Sequence, residues 1–256
     1  MNDKKPKSLF SPYDVPAAFA LLSRIPMPFD HQKLGARGAN AVWAYPIVGA
    51  AIGAIAGALI FALAATPIPS SLTALVGLTV LVMLTGAMHE DGLADCADGF
   101  WGGATIERRL EIMKDSRIGA FGVIALILVL VAEWSLIEGL IYADPILLFA
   151  SVGAMSRLPM CVAMQIMPNA RKTGLSALTG RPKLPSTTLA VLIGIAFVVL
   201  MIGANLDAIL LIIGSFVGAI LVLLFAHIKL RGQTGDVLGA SQKLATIFPL
   251  AALYLA

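Results

Sequence analysis

The sequence predicts an all-α polytopic membrane protein, a helical bundle of about six or seven transmembrane helices with its active site at the cytoplasmic face. Three observations predict it. Of 256 residues, 59% are hydrophobic and 13% are charged, far from the balance of a soluble domain. Several stretches reach the length of about 20 mostly apolar residues that a helix needs to cross a hydrocarbon layer. Lys and Arg recur at alternate connections: all but Arg157 of the eighteen lie in the N-terminal region or in residues 89–117, 171–183 and 229–243. The connections near 66–71, 143–145 and 204–207 hold none. By the positive-inside rule the N-terminus and the three basic loops are cytoplasmic.

Residues 1–41 read as an N-terminal cytoplasmic or interfacial segment. Lys4, Lys5 and Lys7 are not followed by the apolar core of a cleaved signal peptide. Phe10 to Phe29 is broken by Pro12, Pro16, Pro26 and Pro28 and suits the membrane surface. Six crossings follow: Trp43–Ala65, Leu72–Met88, Ile118–Tyr142, Ile146–Met167, Thr188–Gly203 and Ala208–Ile228. Leu244–Ala256 is short, so it reads as a seventh span or a re-entrant piece. Gly49, Gly53 and Gly57 repeat every four residues, which points to close helix packing in lipid. No linker divides residues 1–256, which read as a single membrane-embedded domain. Cys96 and Cys161 carry no metal-type spacing. The chain has no Walker loop or dinucleotide fingerprint, and nucleic acid is not an expected partner.

The most informative stretch is His89-Glu90-Asp91-Gly92-Leu93-Ala94-Asp95-Cys96-Ala97-Asp98-Gly99, where the second span meets the cytoplasm. On a helix, Asp91, Asp95 and Asp98 fall at i, i+4 and i+7 and share one stripe. Three like charges need a cation beside them, and hard divalent ions bound by oxygen are the expected answer. A solvated acidic helix end, or salt bridges to Arg108 and Arg109, is the bland alternative. A second stretch, Glu111 to Gly119, sets Glu111 and Asp115 at i and i+4, able to face the first across a hairpin. Two such groups form the donor set of a two-metal phosphoryl-transfer site. Lys114 and Arg117 then supply phosphate-binding charge, although basic residues beside a membrane also serve as topology anchors.

Two further loops lie on the same side. Arg171-Lys172-Thr173-Gly174 offers cations that can converge with Lys114 on one diphosphate, while Thr234-Gly235-Asp236 offers a hydroxyl and a carboxylate or a plain turn. Arg157, inside a span, is a functional candidate by its cost in lipid. It either pairs with Glu133 or Glu138, or reaches a substrate diphosphate from below. His89, Phe100 and Trp101 fit substrate contacts and interfacial positions equally.

These residues resemble the cobalamin synthase family, the adenosylcobinamide-GDP ribazoletransferases. The resemblance runs through Ser23-Arg24-Ile25-Pro26-Met27-Pro28, Tyr45-Pro46-Ile47-Val48-Gly49, His89 to Gly99 and Met113-Lys114-Asp115-Ser116-Arg117-Ile118-Gly119. It continues through Ser156-Arg157, Ala170-Arg171-Lys172 and Thr234 to Ala240. It implies a Mg²⁺-dependent transferase of the cell inner membrane, acting in cobalamin nucleotide-loop assembly. Adenosylcobinamide-GDP and α-ribazole, or its 5′-phosphate, are then the substrates, and adenosylcobalamin, or its 5′-phosphate, and GMP the products. Membrane lipid is the expected setting, with a homo-oligomer or a complex with other pathway enzymes left open.

A weaker likeness to CDP-alcohol phosphotransferases, through Asp95-Cys96-Ala97-Asp98-Gly99 and Glu111 to Asp115, is an analogy of mechanism. The alternative function is a membrane cation or small-solute transporter using the same carboxylates. That reading expects ionisable residues near the midplane of broken helices, whereas the sequence places them at one end.

Overall fold

The computed structural model describes residues 8–28 and 35–256, so Lys4, Lys5, Lys7 and Phe29 of the expected surface segment lie outside the described residues. Helix α1 (Asp14–Leu22) and a 3₁₀ segment (Gly38–Ala44) pack together at one end of the molecule. Asp14, fully buried, is matched there by Arg37 and accepts from Trp43 Nε1 at 2.8 Å. The 3₁₀ segment runs directly into α2 (Tyr45–Ala64), whose 20 residues span about 30 Å at 1.5 Å per residue.

Helix α3 (Ser70–Thr85) has 16 residues, about 24 Å, and stops short of a full crossing. Gly86 and Ala87 follow in the left-handed region, with φ of 65° and 58°. The chain therefore turns by 86° into α4 (Met88–Gly102). An alanine in that region costs on the order of 1 kcal/mol, so the turn is held by its surroundings. Arg24 contributes, donating its backbone N–H to Leu84 O at 2.7 Å and laying its side chain against Gly86. The second crossing expected through Met88 thus ends at Thr85, and α4 leaves the crossing direction carrying the acidic stretch.

After the short α5 (Ile106–Ile112) come α6 (Ala120–Gly139) and α7 (Pro145–Ile166). The five-residue α8 (Leu175–Thr179) precedes α9 (Leu184–Ile202), α10 (Leu206–Leu230) and α11 (Gly235–Tyr254). Six stretches among the described residues are long and apolar enough to cross a membrane, seven if the bent pair α3 and α4 counts as one. The C-terminal expectation needs correction. Residues 235–243 are not loop but the first turns of a 20-residue helix, and the connection before it is confined to residues 231–234.

Helix α7 is the hub, with 83% of its most apolar window buried against 17% for α6, which faces outward. Its closest partner is α2. A side chain at Gly49, Gly53 or Gly57 would strike the backbone carbonyls of Gly153, Phe149 and Pro145, so the four-residue glycine repeat is a packing seam. Gly214 and Gly218 of α10 seat Pro249 and Leu244 of α11 in the same way.

Candidate active site

Helix α4 presents the acidic stripe in three environments. Asp91 is exposed, Asp95 half-buried and Asp98 buried. Asp98 accepts from the backbone N–H of Gly119 at 2.7 Å and of Gly122 at 2.9 Å. Those two amides open α6, so Asp98 satisfies donors that a helix start leaves unpaired. Glycine at 119 and 122 is required by this contact, since a Cβ at either would collide with the carboxylate.

Gly92 brings the stripe to its main partner. A Cβ there would lie 2.6 Å from Asp236 O, so α4 presses directly on the first turn of α11. Asp236 takes a 2.5 Å ion pair from Arg171 and a 3.1 Å hydrogen bond from Thr234 Oγ1. Thr234 caps α11 by accepting from Val237 N. The loop bearing Arg171 is tied to the loop bearing Thr234 by a short parallel bridge between Asn169 and Gln233. Ala170 N donates to Gln233 O and Gln233 N to Pro168 O, each at 2.8 Å. Ser176 locks the same junction by donating to Gln233 Oε1 at 2.8 Å. Residues 65 positions apart thereby meet beside α4.

Burial, with Asp236, Asp91 and Asp98 beside it and only Arg171 opposing, pushes the Asp95 carboxyl up to about 7. That is the mark of an anionic group short of positive charge. Among the described residues no three His, Cys, Asp or Glu side chains converge as ready-made metal ligands. Two of the four carboxylates already have protein partners, Asp98 in the α6 amides and Asp236 in Arg171.

The second acidic stretch has a different fate. Glu111 is exposed and paired with Arg108 at 3.0 Å. Asp115 is exposed and gripped by Arg117, two residues on, at 2.6 Å, which holds its carboxyl down at about 2. The facing of two carboxylate pairs across a hairpin is therefore not present in this arrangement. What does cross from this segment is Lys114, whose Nζ lies 3.4 Å from Thr173 Oγ1 in the Arg171 loop. Lys172 is exposed beside it. Arg171 keeps one buried nitrogen, Nη1, without a protein partner.

Inside the bundle the structure adds residues that sequence reading misplaced. Lys243, expected in a cytoplasmic loop, is 4% exposed on α11 and bridges Glu133 of α6 and Glu90 of α4, the latter at 2.9 Å. Arg157 is thus not the only base within the helices, and Glu133 belongs to Lys243 rather than to Arg157. Arg157 Nη1 bonds Ser156 Oγ at 2.8 Å and Gly153 O at 3.2 Å. Glu138, the other candidate partner, accepts from Ser70. Glu90, Glu133, Arg157 and Lys243 line a cavity of about 30 Å³ with His89 and Gln242. The signal available in sequence was Glu133, an acid in the middle of an apolar run, whose cost in lipid calls for a buried cation. Trp101 leans on Phe225 and Phe100 with centroids 5.7 and 6.1 Å away; Phe100 is buried and packs in the core, while Trp101 stays 57% exposed.

A family model described as cobalamin-5-phosphate synthase matches residues 14–254. The chain is 40% identical over 227 residues to the adenosylcobinamide-GDP ribazoletransferase of Bradyrhizobium diazoefficiens, covering 86% of each chain. It is 38% identical over 247 residues to the enzyme of that name from Azorhizobium caulinodans, with 91% of this chain and 92% of the relative covered. Identity to that of Sinorhizobium medicae is 38% over 255 residues, with 95% and 96% covered. No solved structure matches the chain.

Proposed function

The chain belongs to the cobalamin-5-phosphate synthase family, and from that premise we propose that it is an adenosylcobinamide-GDP ribazoletransferase working at the cytoplasmic face of the inner membrane. In this reaction a ribose hydroxyl of α-ribazole, or of its 5′-phosphate, attacks the phosphate next to the cobinamide arm. The bond from that phosphorus to the bridging oxygen breaks, GMP leaves with the bond's electrons, and the hydroxyl proton passes to a carboxylate of the site. The observation that carries the reading is the meeting of Asp91 and Asp95 with the Arg171–Asp236 pair where Gly92 lets α4 touch α11.

The donor set fits Mg²⁺. This ion keeps several waters and is commonly held by one or two carboxylates plus substrate phosphates, so three converged side chains are not required. Asp91 and Asp95 would hold it, because Asp98 and Asp236 have other partners. Bound there, Mg²⁺ would neutralise charge on the diphosphate and on the departing GMP. Arg171, with its free Nη1, Lys114 and Lys172 would grip the phosphates. Arg117 is tied to Asp115 by exposed contacts that a phosphate can replace, which would free both for the substrate. Arg157, buried among Glu90, Glu133 and His89, supports α4 from below rather than touching phosphate.

The transporter reading had expected charge beside a broken helix, and the Lys243 cluster next to the α3–α4 turn supplies that. Yet a cavity of about 30 Å³ holds on the order of two waters and no solute path. The test is to incubate the purified protein in lipid with adenosylcobinamide-GDP, α-ribazole and Mg²⁺. GMP release that stops on chelation is expected; no release under any of these conditions would overturn the reading.

A further inference from the structure

Polar groups that the reaction leaves unused gather around the start of α4. His89, 2% exposed, has both ring nitrogens without a partner among the described residues, and so have Glu90 Oε2, Arg157 Nε and Gln242 Oε1. Buried polar groups are costly to leave unmet, so each calls for something that bonds it. His89 lines two small cavities. The inner one, of about 30 Å³, is also lined by Glu90, Arg157, Gln242 and Lys243. The outer one, of about 50 Å³, is lined by Tyr45, whose Oη is likewise unmet, and by Met160, Met164 and Gly235.

Size and charge decide what fills them. A water needs about 10–15 Å³ on this scale, so the inner cavity holds about two and the outer about three, and neither admits an organic ring. The walls of the inner cavity also exclude an ion. Glu90 and Glu133 repel an anion, Arg157 and Lys243 repel a cation, and the formal charges cancel. A neutral molecule that both donates and accepts is required, because Arg157 Nε donates whereas Glu90 Oε2 and Gln242 Oε1 accept. About two waters, each making about three hydrogen bonds with one shared between them, leave about four for the protein. Those three atoms and one nitrogen of His89 match that demand. A neutral imidazole donates from one nitrogen and accepts at the other, so the second is left for water in the outer cavity, together with Tyr45 Oη.

The role of this water follows from its place. Arg157 spends its Nη1 inside α7, on Ser156 and Gly153, and Gln242 spends its Nε2 on Ser156 Oγ at 3.1 Å and Thr246 Oγ1 at 3.0 Å. Among the described residues neither bonds α4 directly. Water between them and His89 and Glu90 closes that gap immediately before Asp91. We infer that the inner cavity is a bound-water site and that His89 is a positioning residue acting through it. The bridge of water and imidazole fixes the first turn of α4 against α7 and α11, and so sets where Asp91 and Asp95 stand.

The positioning role rests on the functional reading above, whereas the water site does not. The full chain in lipid nanodiscs, imaged at a resolution that shows ordered water, is expected to hold about two waters within hydrogen-bond reach of Arg157 Nε, Gln242 Oε1 and Glu90 Oε2. A dry cavity overturns the inference whatever the enzyme does. In GMP release, His89→Leu and Gln242→Leu are each expected to raise the half-saturating Mg²⁺ concentration roughly tenfold, the scale of losing an outer-shell support. His89→Gln, whose amide donates and accepts, is expected to restore most of that loss. A lower thermal midpoint with the wild-type Mg²⁺ requirement in both leucine variants would reduce the water to filling. His89→Gln as impaired as His89→Leu would give the role to the imidazole itself; either result overturns the positioning. Should His89→Leu fail to fold, Gln242→Leu decides, since it leaves every residue of α4 in place. Absence of GMP release from the wild-type protein is a different failure, that of the functional reading itself.

Discussion

Asp95 and Asp115 stand in the two acidic stretches of one face, and their surroundings drive them in opposite directions. Asp95 is half-buried among other carboxylates and its acid form is favoured up to about pH 7. Asp115 is exposed, held by Arg117, and ionised down to about pH 2. The first carboxylate needs a cation that the protein does not fully supply, while the second already has one. The difference comes from what each stretch packs on. Gly92 and Gly99 let α4 lie tight against α11 and Met113, burying the groups between them, whereas α5 buries none of its residues.

The largest effect is expected on the charge-hungry side. Asp95→Asn, and to a similar degree Asp91→Asn, should reduce GMP release by about 10²–10³-fold, the scale of removing a key electrostatic group from a phosphoryl-transfer site. Expression and gel-filtration behaviour should remain normal. Near-normal turnover in both variants would erase the contrast, because a crowded carboxylate pair would then have no task.

A second test addresses the support beneath α4. Glu90 is the residue before Asp91, and Lys243 ties it to Glu133 of α6. Lys243→Met leaves two carboxylates without their counter-charge, and breaking a buried pair this way costs about 3–5 kcal/mol. A markedly lower thermal midpoint in detergent is expected, with partial recovery when Glu133→Gln is added. An unchanged midpoint would mean that the cluster does not hold α4 in place.

Between these extremes sits Arg171, which bonds Asp236 and keeps one nitrogen for substrate. Arg171→Lys keeps the charge but loses the fork that can serve both partners at once. A fall in kcat/KM of roughly tenfold is expected, consistent with loss of one charge-assisted hydrogen bond. Wild-type kinetics would reduce Arg171 to a topology anchor.

How much of this was legible in sequence follows from range. The crossings α2, α6, α7, α9 and α10 were legible because their signal is a local run of apolar residues. The i, i+4, i+7 stripe of Asp91, Asp95 and Asp98 was legible for the same reason, since it needs only helix periodicity. The start of α11 was not. Asp236, Ser241, Gln242 and Lys243 make its first turns polar, and a charge count assigns such residues to a loop. Only the pairing of Lys243 with Glu133, 110 positions away, shows that the lysine is neutralised inside the bundle. The 86° turn was equally hidden, because nothing local marks Ala87 for the left-handed region. The meeting of Arg171 with Asp236 depends on the bridge between Asn169 and Gln233, which has no signature in either loop alone.

The smallest effect is expected at Glu111. It shares the i, i+4 spacing of the α4 stripe, which on sequence grounds made it a metal ligand. In the fold its side chain is exposed and its partner is the equally exposed Arg108. Such a pair lies in high dielectric and contributes little. Glu111→Gln should therefore leave GMP release within about twofold of wild type, far from the loss at Asp95. The same variant titrated with Mg²⁺ should show an unchanged half-saturating concentration. A loss on the Asp95 scale, with a raised Mg²⁺ requirement, would mean that the segment from α5 to Asp115 folds over α4 when substrate binds. The two acidic stretches would then be halves of one site, and the opposite states of Asp95 and Asp115 would describe only the protein at rest.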